Sequence, residues 1–316
     1  MKRLVVSPQA GMCNRFRVLC SAILLGKLSN RSVFHNWTVE PPHPADIAII
    51  RQMRAATLAS FFEPSSALPY LALDARSQVD LVISEWGREE FWFPRQSSAI
   101  GRSNWRGPVV VERVNADSIL ESAADTILLE HSMALKPSFM SAEEHDAALT
   151  EIYAADFEPL EVYRVLAHEL AQGAPYVGVH IRRLDHLRYV RAADIRVEDW
   201  VDLIRRHVRM DERLYVCSDD VPFADRIAAA LPGYQLLSME TCHDSDPRTK
   251  AFLEFLLLSR ATRIYGTIGS SFSREAARFG AVPILMCGSR RPGLIGRLIS
   301  WIGRKRGDEP AIRFVT

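Results

Sequence analysis

The chain has 316 residues, 48% of them hydrophobic and 24% charged, a balance ordinary for a globular protein and a length that allows two cores. Its formal net charge of +1 argues against a general electrostatic affinity for nucleic acid. The five cysteines (Cys13, Cys20, Cys217, Cys242, Cys287) are odd in number and form no Cys-x-x-Cys pair, which argues against a disulfide framework and a cysteine-based zinc site.

Met1-Lys-Arg-Leu-Val-Val6 runs straight into a strand without the apolar length of a signal peptide, and no later segment approaches the roughly 20 apolar residues of a membrane span. The expectation is a cytoplasmic enzyme or binding protein. Leu4 to Ser7 reads as a strand, Pro8 to Gly11 as a turn, Cys13 to Leu28 as a helix and Ser32 to Trp37 as the next strand. The irregular stretch from Pro41 to Arg106, with its prolines and clustered aromatics, predicts loops and short helices. Strands are expected over 109–114 and 125–130, a connector over 133–159 and a helix over 161–172.

From Tyr176 the alternation becomes regular. Strands at 176–181, 213–217, 234–238, 262–266 and 282–286 alternate with helices at 197–209, 222–231, 248–260 and 271–279. Such a pattern predicts a parallel, doubly wound sheet, which binds ligands at the carboxyl ends of its strands. The fold class is therefore α/β of the GT-B kind, two Rossmann-like domains facing a cleft. Residues 1–160 are expected to form the N-terminal Rossmann-like domain and 161–290 the C-terminal, ligand-binding one. Residues 291–316 form a basic tail helix. That tail has two readings, a helix resting on an anionic membrane surface as a weak peripheral contact or one packing back on the protein. The second is favoured, because the apolar face is short and contains glycine.

Four segments fall on strand-to-helix turns. His180-Ile-Arg-Arg-Leu-Asp185 places two guanidiniums and a carboxylate after a buried strand, a donor fork suited to phosphate; the structural alternative is a pair of arginines in salt bridges with Asp185 and Asp194. Cys217-Ser-Asp-Asp220 offers carboxylates to a ribose or a guanine edge, or a helix N-cap. Gly266-Thr-Ile-Gly-Ser-Ser-Phe-Ser-Arg-Glu275 has the glycines, serines and helix start of an anion site, or of a capped turn. Gln9-Ala-Gly-Met-Cys-Asn-Arg-Phe-Arg17 is neither a dinucleotide fingerprint nor a Walker loop; Asn14 and Arg15 there could reach a phosphate or sugar. Asp244-Ser-Asp246 is an Asp-x-Asp pair able to bind a divalent cation, or a solvated loop with a helix cap, the reading preferred.

Taken together, Ala10 to Arg17, Gly178 to Asp185, Tyr215 to Asp220 and Gly266 to Ala276 resemble the α1,6-/protein O-fucosyltransferase superfamily, which includes the rhizobial nodulation fucosyltransferase. The resemblance covers the first 37 residues and most of 176–286. It implies a GT-B fold, a GDP-fucose donor, inversion at the anomeric carbon, no metal or other cofactor, and an acceptor glycan, lipid-linked glycan or protein. It implies catalytic roles for Arg182, Arg183 and Asn14. Donor contacts are implied at Gly11, Arg15, His180, Asp185, Asp219, Asp220, Gly269, Ser270, Ser271 and Phe272. The third position of the first turn, glycine in that superfamily, is Cys13 here. Candidates for a general base are Asp185, His186 and His35. The alternatives are a binding or scaffold protein that keeps the nucleotide fold without catalysis, and a transferase using another nucleotide sugar.

Overall fold

A computed structural model describes residues 1–37, 56–71, 79–84, 110–184, 186–188, 190, 193–238, 246–289 and 312–315. The chain divides into two compact units, Met1–Leu160 and Glu161–Thr316.

The first unit runs β1 (Arg3–Pro8), α1 (Met12–Ser29), β2 (Ser32–His35), β3 (Leu81–Ser84), β4 (Val110–Arg113), α2 (Ala116–Glu121), β5 (Thr126–His131) and α3 (Ala142–Asp156). Its parallel sheet has the order β2-β1-β5-β3-β4. β1 and β5 are central, and their apolar residues are fully buried, as strands covered on both faces require. Two expectations are corrected here. Leu81–Ser84, inside the stretch expected to be loops and short helices, is a strand whose Leu81, Val82 and Ile83 are buried. The connector expected over 133–159 holds α3, opened by a reciprocal capping box between Ser141 and Glu144. Its buried His145, Leu149, Ile152 and Tyr153 follow helical spacing.

The second unit runs α4 (Glu161–Ala171), β6 (Tyr176–Ile181), α5 (Val197–His207), β7 (Arg213–Ser218), α6 (Val221–Ala229), β8 (Gln235–Leu237), α7 (Pro247–Ser259), β9 (Ile264–Thr267), α8 (Ser271–Phe279), β10 (Ile284–Ser289) and β11 (Ile312–Val315). The six-stranded parallel sheet has the order β11-β10-β9-β6-β7-β8. α5 and α6 cover one face with Trp200, Ile204, Phe223 and Ile227. α7 is buried almost throughout from Phe252 to Ser259.

β11 corrects the expected tail helix. Residues 312–315 pair in parallel with β10, because an Ile-Arg-Phe-Val run suits an extended edge position better than a helix. The basic stretch 293–306 lies outside the described residues. No helix among the described residues is long and apolar enough to cross a membrane.

Strand order fixes where a ligand can enter. The chain builds β6, β7 and β8 outward in one direction, then returns to lay β9, β10 and β11 on the other side of β6. The two loops leaving the carboxyl ends of β6 and β9 therefore diverge and leave a crevice between them.

Candidate functional site

At the β6 end, two hydroxyls and one carboxylate hold the backbone of the arginine loop. Thr267 Oγ1 accepts from the Arg182 N–H at 2.9 Å and donates to the His180 carbonyl at 3.2 Å. Ser218 Oγ donates to the Ile181 carbonyl at 2.8 Å and accepts from the Asp220 N–H at 3.0 Å. Asp219 Oδ1 accepts from the Arg183 N–H at 2.8 Å, and Asp219 Oδ2 lies 3.2 Å from Arg182 Nη1. One aspartate thus shapes the loop and orients the first guanidinium.

The two arginines differ. Arg183 is enclosed: Nη1 donates to the Ile195 carbonyl at 3.2 Å, Asp194 is 3.4 Å away, Nε faces Asp220 at 3.3 Å and the guanidinium lies 4.0 Å from the Phe223 ring centroid. That is the structural alternative as regards Asp194; Asp185 lies outside the described residues. Arg182, its side chain 20% exposed against 17% for Arg183, pairs with Asp219. Asp220 is the N-cap of α6, its Oδ1 accepting from the Phe223 N–H at 3.2 Å.

The β9 side supplies the opposite wall. Ile268 and Gly269 turn the chain into α8, and Gly269 has φ +76°, a conformation that side chains resist. A Cβ there would stand 3.3 Å from the His186 ring. His186 Nε2 bonds the Ile268 carbonyl at 2.8 Å, which ties the arginine loop to this turn and places the ring proton on Nε2. Ser270, the N-cap of α8, is 4% exposed, yet its Oγ has no hydrogen-bond partner. Behind it, His180 stacks on Phe272 at 4.8 Å and its Nδ1 lies 3.3 Å from Ser273 Oγ. Burial, with Arg182 and His186 adding, pushes His180 down to about 3, so its ring is a neutral support for α8. Ser271 opens that helix.

Beside the crevice, under the ends of β7 and β8, lies a cavity of about 380 Å³ lined by α6 and α7 residues, within the range of small-molecule pockets. Its walls are Val221, Ala224 and Leu236, and its charged groups are Asp225, Lys250 and Glu254. Burial first, and the Asp219 charge after it, push Glu254 up to about 7 against the opposing pull of Lys250. Glu254 was missed by motif reading. The available signal was a lone carboxylate inside the apolar run Phe252-Leu-Glu-Phe-Leu256.

Gly11, Asn14 and Arg15 belong to the first unit, at the carboxyl end of β1. Ala10 adopts φ 65°, an uncommon conformation for a residue with a Cβ. Arg15 fixes this turn: its Nε donates to the Ala10 carbonyl at 2.9 Å and its guanidinium lies 5.1 Å from the Trp37 ring, with only 3% of the residue exposed. Gly11 is the N-cap of α1 and Cys13 is buried. Asn14 Oδ1 is buried without a hydrogen-bond partner. His35 Nδ1 accepts from the Trp37 N–H at 3.3 Å, and burial pushes this ring down to about 4, too acidic for a strong base at neutral pH.

Asp246 takes the capping role: its carboxylate accepts from the Arg248 N–H at 2.9 Å and from Thr249 Oγ1 at 2.6 Å. Asp244 lies outside the described residues. Among the described residues no group of three His, Cys, Asp or Glu side chains is placed to hold a metal ion.

No family model and no curated protein matches the sequence. Solved structures do match the fold. The NodZ α-1,6-fucosyltransferase soaked with GDP-fucose aligns over 93% of this chain and 97% of its own, at 16% identity and a TM-score of 0.55. POFUT1 in complex with GDP-fucose aligns over 89% and 96%, at 13% identity and a TM-score of 0.56. Fucosyltransferase NodZ from Bradyrhizobium aligns over 87% and 93%, at 14% identity and a TM-score of 0.52. The chain has the fold of these fucosyltransferases. It is the α/β, GT-B class expected from its strand pattern, carried here by two parallel sheets.

Proposed function

We propose that this chain is a glycosyltransferase that moves fucose, or a related deoxyhexose, from a GDP-sugar to an acceptor hydroxyl, with inversion and without a metal ion. The observation that carries the reading is the convergence at one strand-order reversal. Arg182 stands at the end of β6, the N-terminus of a helix with an unpartnered buried serine hydroxyl at the end of β9, and a nucleoside-sized cavity beside them.

In this reading the diphosphate lies in the crevice and the base in the cavity. A guanine ring presents two adjacent donors, N1–H and the N2 amino group, which match the two oxygens of one carboxylate; Glu254 is that acceptor. When the bond from sugar to GDP breaks, the electron pair leaves with the terminal phosphate. Arg182 and the α8 N–H groups meet that charge, pre-oriented by Asp219 and Thr267. The acceptor hydroxyl attacks from the opposite face of the sugar and gives up its proton to solvent water. Arg183 keeps the loop in shape.

One observation favours the non-catalytic reading. Burial holds His35 at about 4, so this candidate is a weak base at neutral pH. The experiment that decides is a thermal-shift panel of GDP, GDP-fucose, GDP-mannose, UDP and dTDP with and without EDTA, followed by transfer assays on an acceptor panel. A ligand at 100 times its Kd stabilises by about 2.7 kcal/mol. Selective stabilisation by guanine nucleotides, unchanged by EDTA and followed by transfer, is the expected result. Binding without transfer or donor hydrolysis supports the scaffold reading. A response to UDP or dTDP alone removes fucose.

A further inference from the structure

α8 opens without the features that usually settle a helix N-terminus. Ser270 makes no side-chain cap bond, and no acidic residue stands in the first turn, where a carboxylate offsets the helix dipole. A cation stands near this end instead. Arg274 follows three residues after the first helical position, and its Nε is buried with no hydrogen-bond partner. Among the described residues Arg274 forms no hydrogen bond or ion pair.

The carboxylate next in sequence does not compensate it. Glu275 is 1% exposed and takes Arg278 Nη1 on both oxygens, at 2.7 and 2.6 Å, and neighbouring residues on a helix face apart. The other arginines of this sheet edge have carboxylate partners: Arg182 has Asp219, and Arg183 has Asp194 and Asp220. Ser270, Ser271 and Arg274 share one helix face by their i, i+3 and i+4 spacing. A long helical side chain leans back toward the N-terminus, which carries the Arg274 guanidinium toward the mouth where the Ser270 hydroxyl is buried and unpartnered. A cation placed against a dipole, beside an unsatisfied hydroxyl, calls for an anion that no described residue supplies.

We infer that Arg274 is a third cationic contact for the terminal phosphate of the nucleotide diphosphate, acting with Arg182 and the N-terminus of α8. This rests on the nucleotide-sugar reading above. The test is titration calorimetry of GDP and GMP on the full chain and on Arg274→Ala, Arg274→Gln and Arg274→Lys, with Arg182→Ala alongside, plus melting temperatures of the free proteins. R274A and R274Q should weaken GDP binding by about tenfold or more, the loss expected for a charge-assisted hydrogen bond. GMP should lose less, R274K should recover part, and the salt dependence of GDP binding should become shallower. The free R274Q protein should melt at or above the wild-type temperature, since an opposed charge has been removed. GDP binding by R274Q within twofold of wild type, while R182A loses it, overturns the role of Arg274 and leaves the nucleotide reading standing. An equal loss for GMP overturns the assignment to the terminal phosphate. A lower melting temperature of free R274Q also overturns it, because that marks an internal structural role. Failure of the wild-type chain to bind GDP removes both readings together.

Discussion

At the scale of single residues, adjacent identical side chains have been given different work by their surroundings. Arg182 and Arg183 follow one another after β6, yet Arg183 is held by a carbonyl, two carboxylates and a ring face, while Arg182 lies 3.2 Å from Asp219. Arg182→Ala should reduce transfer by about 10²–10³, the usual cost of one preorganised donor to a developing oxyanion, with little change in stability. Arg183→Ala should lower the unfolding free energy by about 1–3 kcal/mol, since it leaves Asp194 and Asp220 without their cation. Urea unfolding and initial rates on both variants separate the two. Equal behaviour of the pair would contradict the division. Motif reading found both arginines, but a sequence cannot show which of two neighbours its strand's pleat and loop will turn inward.

At the scale of elements, the site depends on where α8 begins, and packing at both ends of the helix sets that. A Cβ on Gly266 would stand 2.5 Å from Ser273 Oγ, and one on Gly280 would stand 1.7 Å from the Ser259 carbonyl oxygen. The second contact is with backbone at the end of α7, so no rotamer relieves it. Gly280→Ala should therefore push α8 away from α7 and cost about 1–3 kcal/mol or more, as overpacking does. It should also weaken nucleotide binding, because the N-terminus moves with the helix. Chemical denaturation and GDP titration of the same variant test both halves. Unchanged affinity in a destabilised G280A protein would mean that the N-terminus is positioned by its loop alone. The elements of the second unit were legible because strict strand–helix alternation leaves few choices. α3 falls in the stretch expected as a connector, although its capping box and the spacing of His145, Leu149, Ile152 and Tyr153 are local signals of a helix. β3 was not legible, since three apolar residues and a serine become a strand only when β5 and β4 stand on either side.

At the scale of the molecule, the two units should answer pH differently. His35 in the first unit is held at about 4 by burial, against an ordinary 6.5. Between those values the unfolded chain binds a proton that the fold does not, so stability rises with pH, by about 1.4 kcal/mol per unit for one proton. In the second unit His180, at about 3, acts with the same sign. Glu254, at about 7, acts oppositely: the fold keeps its proton where the unfolded chain has lost it above 4.5. The two nearly cancel between pH 4.5 and 6.5. Glu212 and Asp246, both lowered to about 2, act below that window. Opening free energies from amide exchange should climb with pH across this window for β1 and stay flat for β6. Glu254→Gln should give β6 the slope of about 1.4 kcal/mol per unit that belongs to His180 alone. A flat β6 profile in that variant would show that His180 is not the neutral support described.

The sequence by itself determined what local chemistry determines: the strand and helix periods of the second unit, the turns between them, and the four segments in which arginines, carboxylates, glycines and serines stand together. Side-chain alternation and capping act over a few residues, so they are written locally. Only the tertiary structure decided that Arg183 pairs with both Asp194 and Asp220, that Asp220 caps a helix and that residues 312–315 add a strand to β10. It also decided that Glu254, on a helix that reads as core, faces a cavity beside Asp219. Those outcomes depend on burial and on partners distant in sequence, and a single chain of letters carries neither.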